Sequence, residues 1–361
     1  MTLGLCMIVK NESETLARAL DGIKDVVDEI VIVDTGSSDN TVDIALGYTD
    51  KVYSFEWVYD FSAARNFGLS KMTTDYWMWL DADDVVPTTT ASEIARLKRK
   101  KSIADIIMLP YVTATDENGK PTFLYYRERI LKNTPQNIFK GAVHEAVELS
   151  GSVANLPYPI IHSKPTDRNS GKRNLEIYER LIAIGHALSP RERYYYAREL
   201  LRDGKKAAAA KALTEFISGD GGISVNKADA CLLLSDYYAD AGDLTSAMQA
   251  ALYRFAFVPP DGEGCCAVAS LFFNRGDYAS AAHWYNLALK AKPDTKSGAF
   301  VQADYYGLIP LVWLSVCYDR MGDIKKAYGY HRRAKKLRPT DKSVIKNDAY
   351  FASKGFMDMS T

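Results

Sequence analysis

The sequence predicts an α/β domain on an open sheet of βαβ units, followed by an all-α array of repeated helix pairs. Three observations carry this expectation. Short β-branched runs alternate with helical stretches over residues 1–163. Beyond residue 190, Gly, Ala and Pro recur at fixed offsets. The formal charge is zero, from 45 Lys+Arg and 45 Asp+Glu in 361 residues, but it divides into −7 over residues 1–163 and +7 over residues 164–361. The neutral total argues against a general nucleic-acid binder, which is usually basic.

The elements follow in order. Leu3–Val9 is a short apolar run suited to a buried strand. Ser13 to Ile23 has helical spacing, with Leu16, Ala19, Leu20 and Ile23 on one side. Glu29–Val33 is continuous and β-branched, as in a parallel strand covered on both faces. Lys51 to Trp57 alternates weakly, and Ser62 reads as the N-cap of a helix reaching about Lys71. Tyr76–Leu80 and Ile106–Leu109 are further apolar strands. Strands separated by helices of this length suggest βαβ units, and such sheets bind ligands beyond the carboxyl ends of their strands.

In the second half, Gly204, Gly242, Gly276 and Gly322 each end a helix. Ala209, Ala247, Ala281 and Ala327 follow five residues later, and Ala197, Ser235, Ala269 and Ser315 precede by seven. Pro259, Pro293 and Pro339 close the later units. Gly allows the tight turn, small residues let two helices approach, and Pro stops the second helix. The first unit is degenerate, and an insertion near 294–307 precedes the fourth. The five cysteines are scattered and read as core thiols rather than a disulfide framework. No signal peptide is evident, and the longest apolar stretch, Tyr305–Tyr318, is too short for a membrane span and is broken by Pro310. A cytoplasmic location is expected.

Four polar segments of the acidic half call for more than packing: Val9-Lys10-Asn11-Glu12, Asp34-Thr-Gly-Ser-Ser-Asp39, Ala64-Arg65-Asn66 and Asp81-Ala82-Asp83-Asp84. All but the third follow the carboxyl end of an expected strand. Three carboxylates within four residues repel one another unless a cation joins them, and hard oxygen ligands suit Mg²⁺ or Mn²⁺. The plain alternative for such a cluster is a solvated acidic turn.

In their order and spacing these segments resemble the family 2 glycosyltransferases, with their GT-A nucleotide-sugar fold. The repeats resemble tetratricopeptide repeats. The combination is similar to a bacterial subgroup of peptide S-glycosyltransferases. The resemblance implies a GT-A domain over residues 1–163, a lid or linker over 164–189, four repeat units over 190–345 and a tail over 346–361. It implies that Val9 and Glu12 lie by the base and ribose of a nucleotide sugar, that Asn11 also belongs to the donor site, and that Asp34 accepts a hydrogen bond from uracil or ribose. Arg65 would approach the uracil or the phosphates, and Asp81 the ribose or a metal-bound water. Asp83 would bind the metal through the diphosphate, while Asp84 tunes that site or binds the sugar. Alternative readings place Glu12 in a capping turn and pair Arg65 with Asp60.

Inverting transfer needs a group to accept the acceptor's proton. The polar pair His144-Glu145 interrupts an apolar segment after Gly141. Glu145 is the first candidate base, with His144 positioning it or touching the sugar; Asp84 or an acceptor-bound group is the alternative. His162 is a candidate metal ligand or a structural imidazole. Lys164 and Arg173, in the polar segment 163–173, are candidates to close over the diphosphate, unless that segment is a plain linker.

The implied reaction moves a sugar from a UDP-sugar, UDP-glucose favoured, to a peptide or protein held by the repeats, with Mg²⁺ or Mn²⁺. The alternatives are a glycan or lipid-linked acceptor in cell-surface polysaccharide synthesis, and a repeat scaffold on a decayed transferase domain. No nucleic-acid partner is expected. Residues 320–346 carry ten Lys+Arg against two Asp, a candidate contact for an acidic peptide or a membrane surface. The repeats are also candidates for a homodimer contact.

Overall fold

The apolar runs become the strands of one mixed sheet in a computed structural model of the chain, which describes residues 1–100, 102–163, 172–294 and 300–356. The order begins with β1 (Leu3–Val9), α1 (Leu16–Asp21), β2 (Glu29–Asp34), α2 (Thr41–Leu46), β3 (Val52–Ser54), α3 (Phe61–Leu69) and β4 (Tyr76–Trp79). It continues through β5 (Asp84–Val85), α4 (Thr88–Lys98), β6 (Ile106–Thr115), β7 (Pro121–Lys132), β8 (Phe139–Lys140) and β9 (Ala146–Val147). β10 (Val153–Asn155), β11 (Ile160–His162), α5 (Arg173–Ala183) and α6 (Pro190–Arg202) complete the first unit, Met1–Asp203. The main strand order is β3-β2-β1-β4-β7-β6-β11-β5, with β8 and β9 paired apart.

The βαβ expectation holds for half the sheet. β1 pairs parallel with β2 and β4, and β2 with β3. β7 runs antiparallel to both β4 and β6. The reason is local: β6 and β7 form a hairpin whose turn has Gly119 at φ 76°, a left-handed position that glycine adopts without cost. Alternation along β1 sends Leu3, Leu5, Met7 and Val9 into one core cluster and Cys6 into another, with Trp77, Trp79 and Phe139.

Helix α3 differs from expectation at its start. Asp60, not Ser62, is the N-cap: its Oδ1 accepts from the Ala63 N–H at 3.0 Å and from Ser62 Oγ at 2.8 Å. That use of Asp60 leaves Arg65 to find other partners. Helix and sheet meet closely at Gly68, where an added Cβ would lie 2.6 Å from Cys6 Sγ and 2.9 Å from Val33 Cγ2.

The second unit begins at Gly204 and holds α7 (Lys206–Ser218), α8 (Ser224–Asp240), α9 (Leu244–Tyr253), α10 (Gly262–Asn274), α11 (Tyr278–Ala288), α12 (Leu308–Arg320), α13 (Ile324–Leu337) and α14 (Lys342–Ser353). Gly242, Gly276 and Gly322 sit at φ 80°, 78° and 84°, and Ala247, Ala281 and Ala327 are fully buried, as the repeat spacing expects. Each of these glycines precedes an aspartate, Asp243, Asp277 or Asp323, whose side chain caps the next helix.

Two expected boundaries shift. Helix α6, assigned from sequence to the first repeat, belongs to the first unit because it packs on α5 and on the loop around His144. The tail expected over 346–361 begins inside α14, which buries Val344 and Phe351. Among the described residues all five cysteines are free and buried, and no helix is long and apolar enough to cross a membrane.

Gly68→Ala is expected to destabilise the first unit by about 1–3 kcal/mol, because its methyl group forces α3 off the sheet. A lower urea midpoint with an unchanged slope checks this.

Candidate active site

Within the first unit, the carboxyl ends of β1 and β4 open into a cleft of about 700 Å³, also walled by β7, the loop before β9 and the start of α5. Val9, Asn11, Glu12, Arg65, Asp81, Asp83, His144, Glu145, His162 and Arg173 all line it. Segments as far apart in the chain as Val9 and Arg173 thus meet in one cleft.

The β1 end is tied down by its neighbours. The Val9 carbonyl accepts from the Thr35 N–H at 3.0 Å and its hydroxyl at 3.1 Å. Asn11, at φ 55°, donates its N–H to Ser37 Oγ and accepts from the Ser38 N–H at 2.8 Å. The Glu12 N–H donates to Thr41 Oγ1, while its Oε2 accepts from Thr15 Oγ1, both at 2.7 Å. Glu12 thus lines the cleft while its carbonyl accepts from the Thr15 and Leu16 N–H groups in the turn before α1, whose N-cap is Thr15.

Two donor-site expectations fall differently. Asp34 does not line the cleft; its carboxylate accepts from the backbone N–H groups of Gly36 and Ser37 and so shapes the following loop. Asp84 is fully buried and also off the cleft surface. It accepts from Arg129 Nη1 at 3.0 Å, the Tyr111 hydroxyl at 2.8 Å and the Asp81 N–H at 3.0 Å. Burial makes it a brace behind Asp81 and Asp83, out of direct reach of a sugar.

Arg65 occupies the centre, 5% exposed. Its Nη2 donates to Asp81 at 2.7 Å and its Nε to Glu145 at 2.6 Å, over the faces of Trp79 and Phe139. Burial alone would push the Asp81 carboxyl up, but the Arg65 guanidinium outweighs it and holds the group down at about 2. Arg65 Nη1 is buried without a partner.

Strand β11 brings His162 across the sheet beside β5. Its Nδ1 lies 2.8 Å from the Tyr111 hydroxyl and 3.3 Å from Asp83 Oδ1. Burial disfavours the imidazolium, yet the Asp83 and Asp84 carboxylates raise its pKa to about 10. Ligand atoms of Asp83, Asp84 and His162 lie within 4.8 Å of one another. Two carboxylates and an imidazole fit Mn²⁺ or Mg²⁺. With Asp84 committed to Arg129, Asp83 and His162 are the members that face the cleft.

At the opposite wall, His144 stacks on Tyr195 with ring centroids 4.2 Å apart, and its Nε2 lies 2.7 Å from Glu199 Oε1. Arg173 stands at the first turn of α5, over the Phe61 ring at 4.7 Å. Lys164 lies outside the described residues.

Sequence reasoning missed Tyr111, Arg127, Arg129, Asn174 and Glu199. A signal for two of them existed: Arg127 and Arg129 recur at the strand period of two in β7, beside the apolar Ile130-Leu131. Both guanidiniums sit over the Trp79 ring. Glu199 had none, because a glutamate in a helix of mixed polarity looks solvated until that helix, α6, is seen to pack on α5 and the loop around His144.

Comparison with known proteins agrees with this organisation. Residues 5–147 match the glycosyl transferase family 2 model, and residues 262–295 match a tetratricopeptide repeat. A TPR repeat-containing protein of Synechococcus elongatus is 34% identical over 148 residues, 40% of this chain and 35% of that protein. The SPbeta prophage-derived glycosyltransferase SunS of Bacillus subtilis is 27% identical over 214 residues, 55% of this chain and 49% of that one. An uncharacterized glycosyltransferase of Rickettsia felis is 26% identical over 225 residues, 58% of this chain and 74% of that one. The chain thus spans about a third to a half of the length of the first two relatives.

Replacing Arg65 with Ala leaves Glu145 and Asp81 facing each other without their shared counter-charge. A loss of about 3–5 kcal/mol is expected at neutral pH, as for removal of one partner of a buried pair. The share due to Asp81 is present above the unfolded carboxyl's pKa and is lost as pH falls through about 2, its folded value. Urea unfolding of both proteins across this acid range should show the gap narrowing.

Proposed function

We propose that this chain, which carries a glycosyl transferase family 2 domain followed by tetratricopeptide repeat helices, moves a sugar from a UDP-sugar to a peptide or protein acceptor. The observation that carries the reading is the convergence of the Asp83–His162 pair, the Asp81–Arg65–Glu145 bridge and the Val9–Glu12 loop on one cleft. The relative named as a glycosyltransferase over half of this chain supports the reaction class. UDP, and glucose as the sugar, are inferred from the resemblance alone.

In this reading the Val9–Glu12 loop receives the nucleoside. Asp81 is held ionised by Arg65 and presents its second oxygen to the ribose or a metal-bound water. Asp83 and His162 would hold Mg²⁺ or Mn²⁺, which when bound neutralises charge on the diphosphate leaving group. Arg173 adds positive charge at the cleft rim, and Asp84, locked by Arg129, keeps the acidic turn in register. The repeats offer an extended surface of the kind that commonly holds peptide.

A second reading, transfer to a glycan or lipid-linked saccharide, is favoured by one surface. Lys325, Lys326, Arg332, Arg333 and Lys336 are exposed on α13. At 100° per residue they fall within an arc of about 120°. Lys342 and Lys346 add exposed charge on α14, next to Ile345 at 55% exposure.

Thermal shift against nucleotide sugars with Mn²⁺ tests the first reading. A rise in unfolding temperature with a UDP-sugar, and UDP release with candidate peptides, are expected; Asp83→Ala should abolish both the Mn²⁺ dependence and the release. Stabilisation by no nucleotide sugar would end it. Sedimentation with phosphatidylserine vesicles separates the readings: peptide transfer expects no bound fraction, whereas binding lost on neutralising the α13 cations favours the lipid-linked acceptor.

A further inference from the structure

The loop before β9 is fixed at every carbonyl from Ala142 to Glu145. Ala142 O accepts from the Phe61 N–H at 2.9 Å, and Val143 O from the Tyr178 hydroxyl at 3.4 Å. His144 O accepts from Arg191 at 3.1 and 3.2 Å, and Glu145 O from Arg127 at 3.1 Å. This anchoring holds His144 at φ 51°, a left-handed conformation that is uncommon outside glycine and is retained only where the surroundings enforce it. The result is an imidazole locked against Tyr195 with one edge toward the cleft.

The other edge meets Glu199, which is 1% exposed. Glu199 Oε1 lies 2.7 Å from His144 Nε2 and accepts from Asn174 Nδ2 at 3.2 Å, and Arg202 Nη1 lies 3.2 Å from Oε2. Burial opposes ionisation of Glu199, but the His144 and Asn174 hydrogen bonds outweigh it and hold its carboxyl below the usual value. An ionised carboxylate only accepts, so the ring proton sits on Nε2 and the neutral imidazole keeps its lone pair on Nδ1. Among the described residues Nδ1 has no hydrogen-bond partner.

Glu145 is placed otherwise. Its Oε1 takes Arg65 Nε, and through that guanidinium it helps hold Asp81. A proton delivered to Glu145 would remove one of the two negative charges that Arg65 bridges at the centre of the site. Independently, Asn174 Oδ1 is buried without a partner on the wall shared with His144, an acceptor waiting for a donor from an incoming molecule.

We propose that His144, oriented by Glu199, is the general base that activates the acceptor, and that Glu145 serves to position Arg65. The proposal rests on the transferase reading above. In the step, the acceptor's O–H or S–H gives its proton to Nδ1. The freed oxygen or sulfur bonds to the anomeric carbon as the bond from that carbon to the diphosphate oxygen breaks. The electron pair leaves with the diphosphate, and the imidazolium is neutralised by Glu199 until its proton passes to solvent. This is the logic of a carboxylate-oriented histidine, here assembled from a loop and a helix beyond the family-matched segment.

Water and azide separate a base from a merely structural residue, since azide attacks without losing a proton. The assay is UDP release from UDP-glucose with Mn²⁺, in the full chain. His144→Ala should lower kcat with water by about 10²–10⁴-fold, with KM for UDP-glucose unchanged. Sodium azide should restore release in His144→Ala, with glycosyl azide as product, and should not restore it in Asp83→Ala. Glu199→Gln should lower kcat and leave KM. His144→Gln, closer in size, gives the same readouts if the Ala variant unfolds. Unchanged kcat in these His144 variants, or no azide rescue, would overturn the proposal and leave the transferase reading standing. No UDP release by the unaltered chain from any UDP-sugar would overturn both.

Discussion

A buried guanidinium between two carboxylates governs this site. Arg65 joins three elements that the sequence keeps apart: helix α3 that carries it, the turn after β4 through Asp81, and the loop before β9 through Glu145. Its charge is buried over the Trp79 and Phe139 rings, so it is desolvated and cannot trade its partners for water at low cost. The capping of α3 by Asp60 and the close seat of Gly68 on β1 and β2 set where that guanidinium arrives. Behind it, Arg129 and Asp84 repeat the device at full burial and fix the acidic turn from beneath. The cleft is thus an electrostatic frame lined by Asp81, Asp83 and the imidazoles of His144 and His162.

The frame divides the work among residues of similar chemistry. Of the three carboxylates in Asp81–Asp84, one is bridged to Arg65, one faces His162 and one is consumed as a brace. The adjacent pair His144-Glu145 divides likewise: the glutamate bonds inward to Arg65, and the histidine bonds outward to Glu199 on α6. Neighbours in sequence thus have opposite environments, Arg65 for the glutamate and Glu199 for the histidine.

Much of this was legible in the sequence. The strands up to β4, the repeat glycines and their buried alanines follow from period and spacing, which local sterics and helix packing enforce. Ten of the expected site residues line one cleft, and all of them except Arg65 and Arg173 follow a strand end or interrupt an apolar run. What could not be read is what depends on partners distant in the chain. The burial of Asp84 required Arg129, which is 45 residues away and hidden in a strand. The role of His144 required Glu199, on a helix that its repeat-like spacing assigned elsewhere. The antiparallel half of the sheet turned on a hairpin that the alternation of strands and helices did not announce.

The most direct test is anomalous diffraction from crystals grown with Mn²⁺ and UDP. The expected result is one manganese peak in contact with Asp83, His162 and the diphosphate, with the nucleoside against the Val9–Glu12 loop. Nucleotide bound elsewhere, or manganese held away from Asp83 and His162, would contradict the assignment of this cleft.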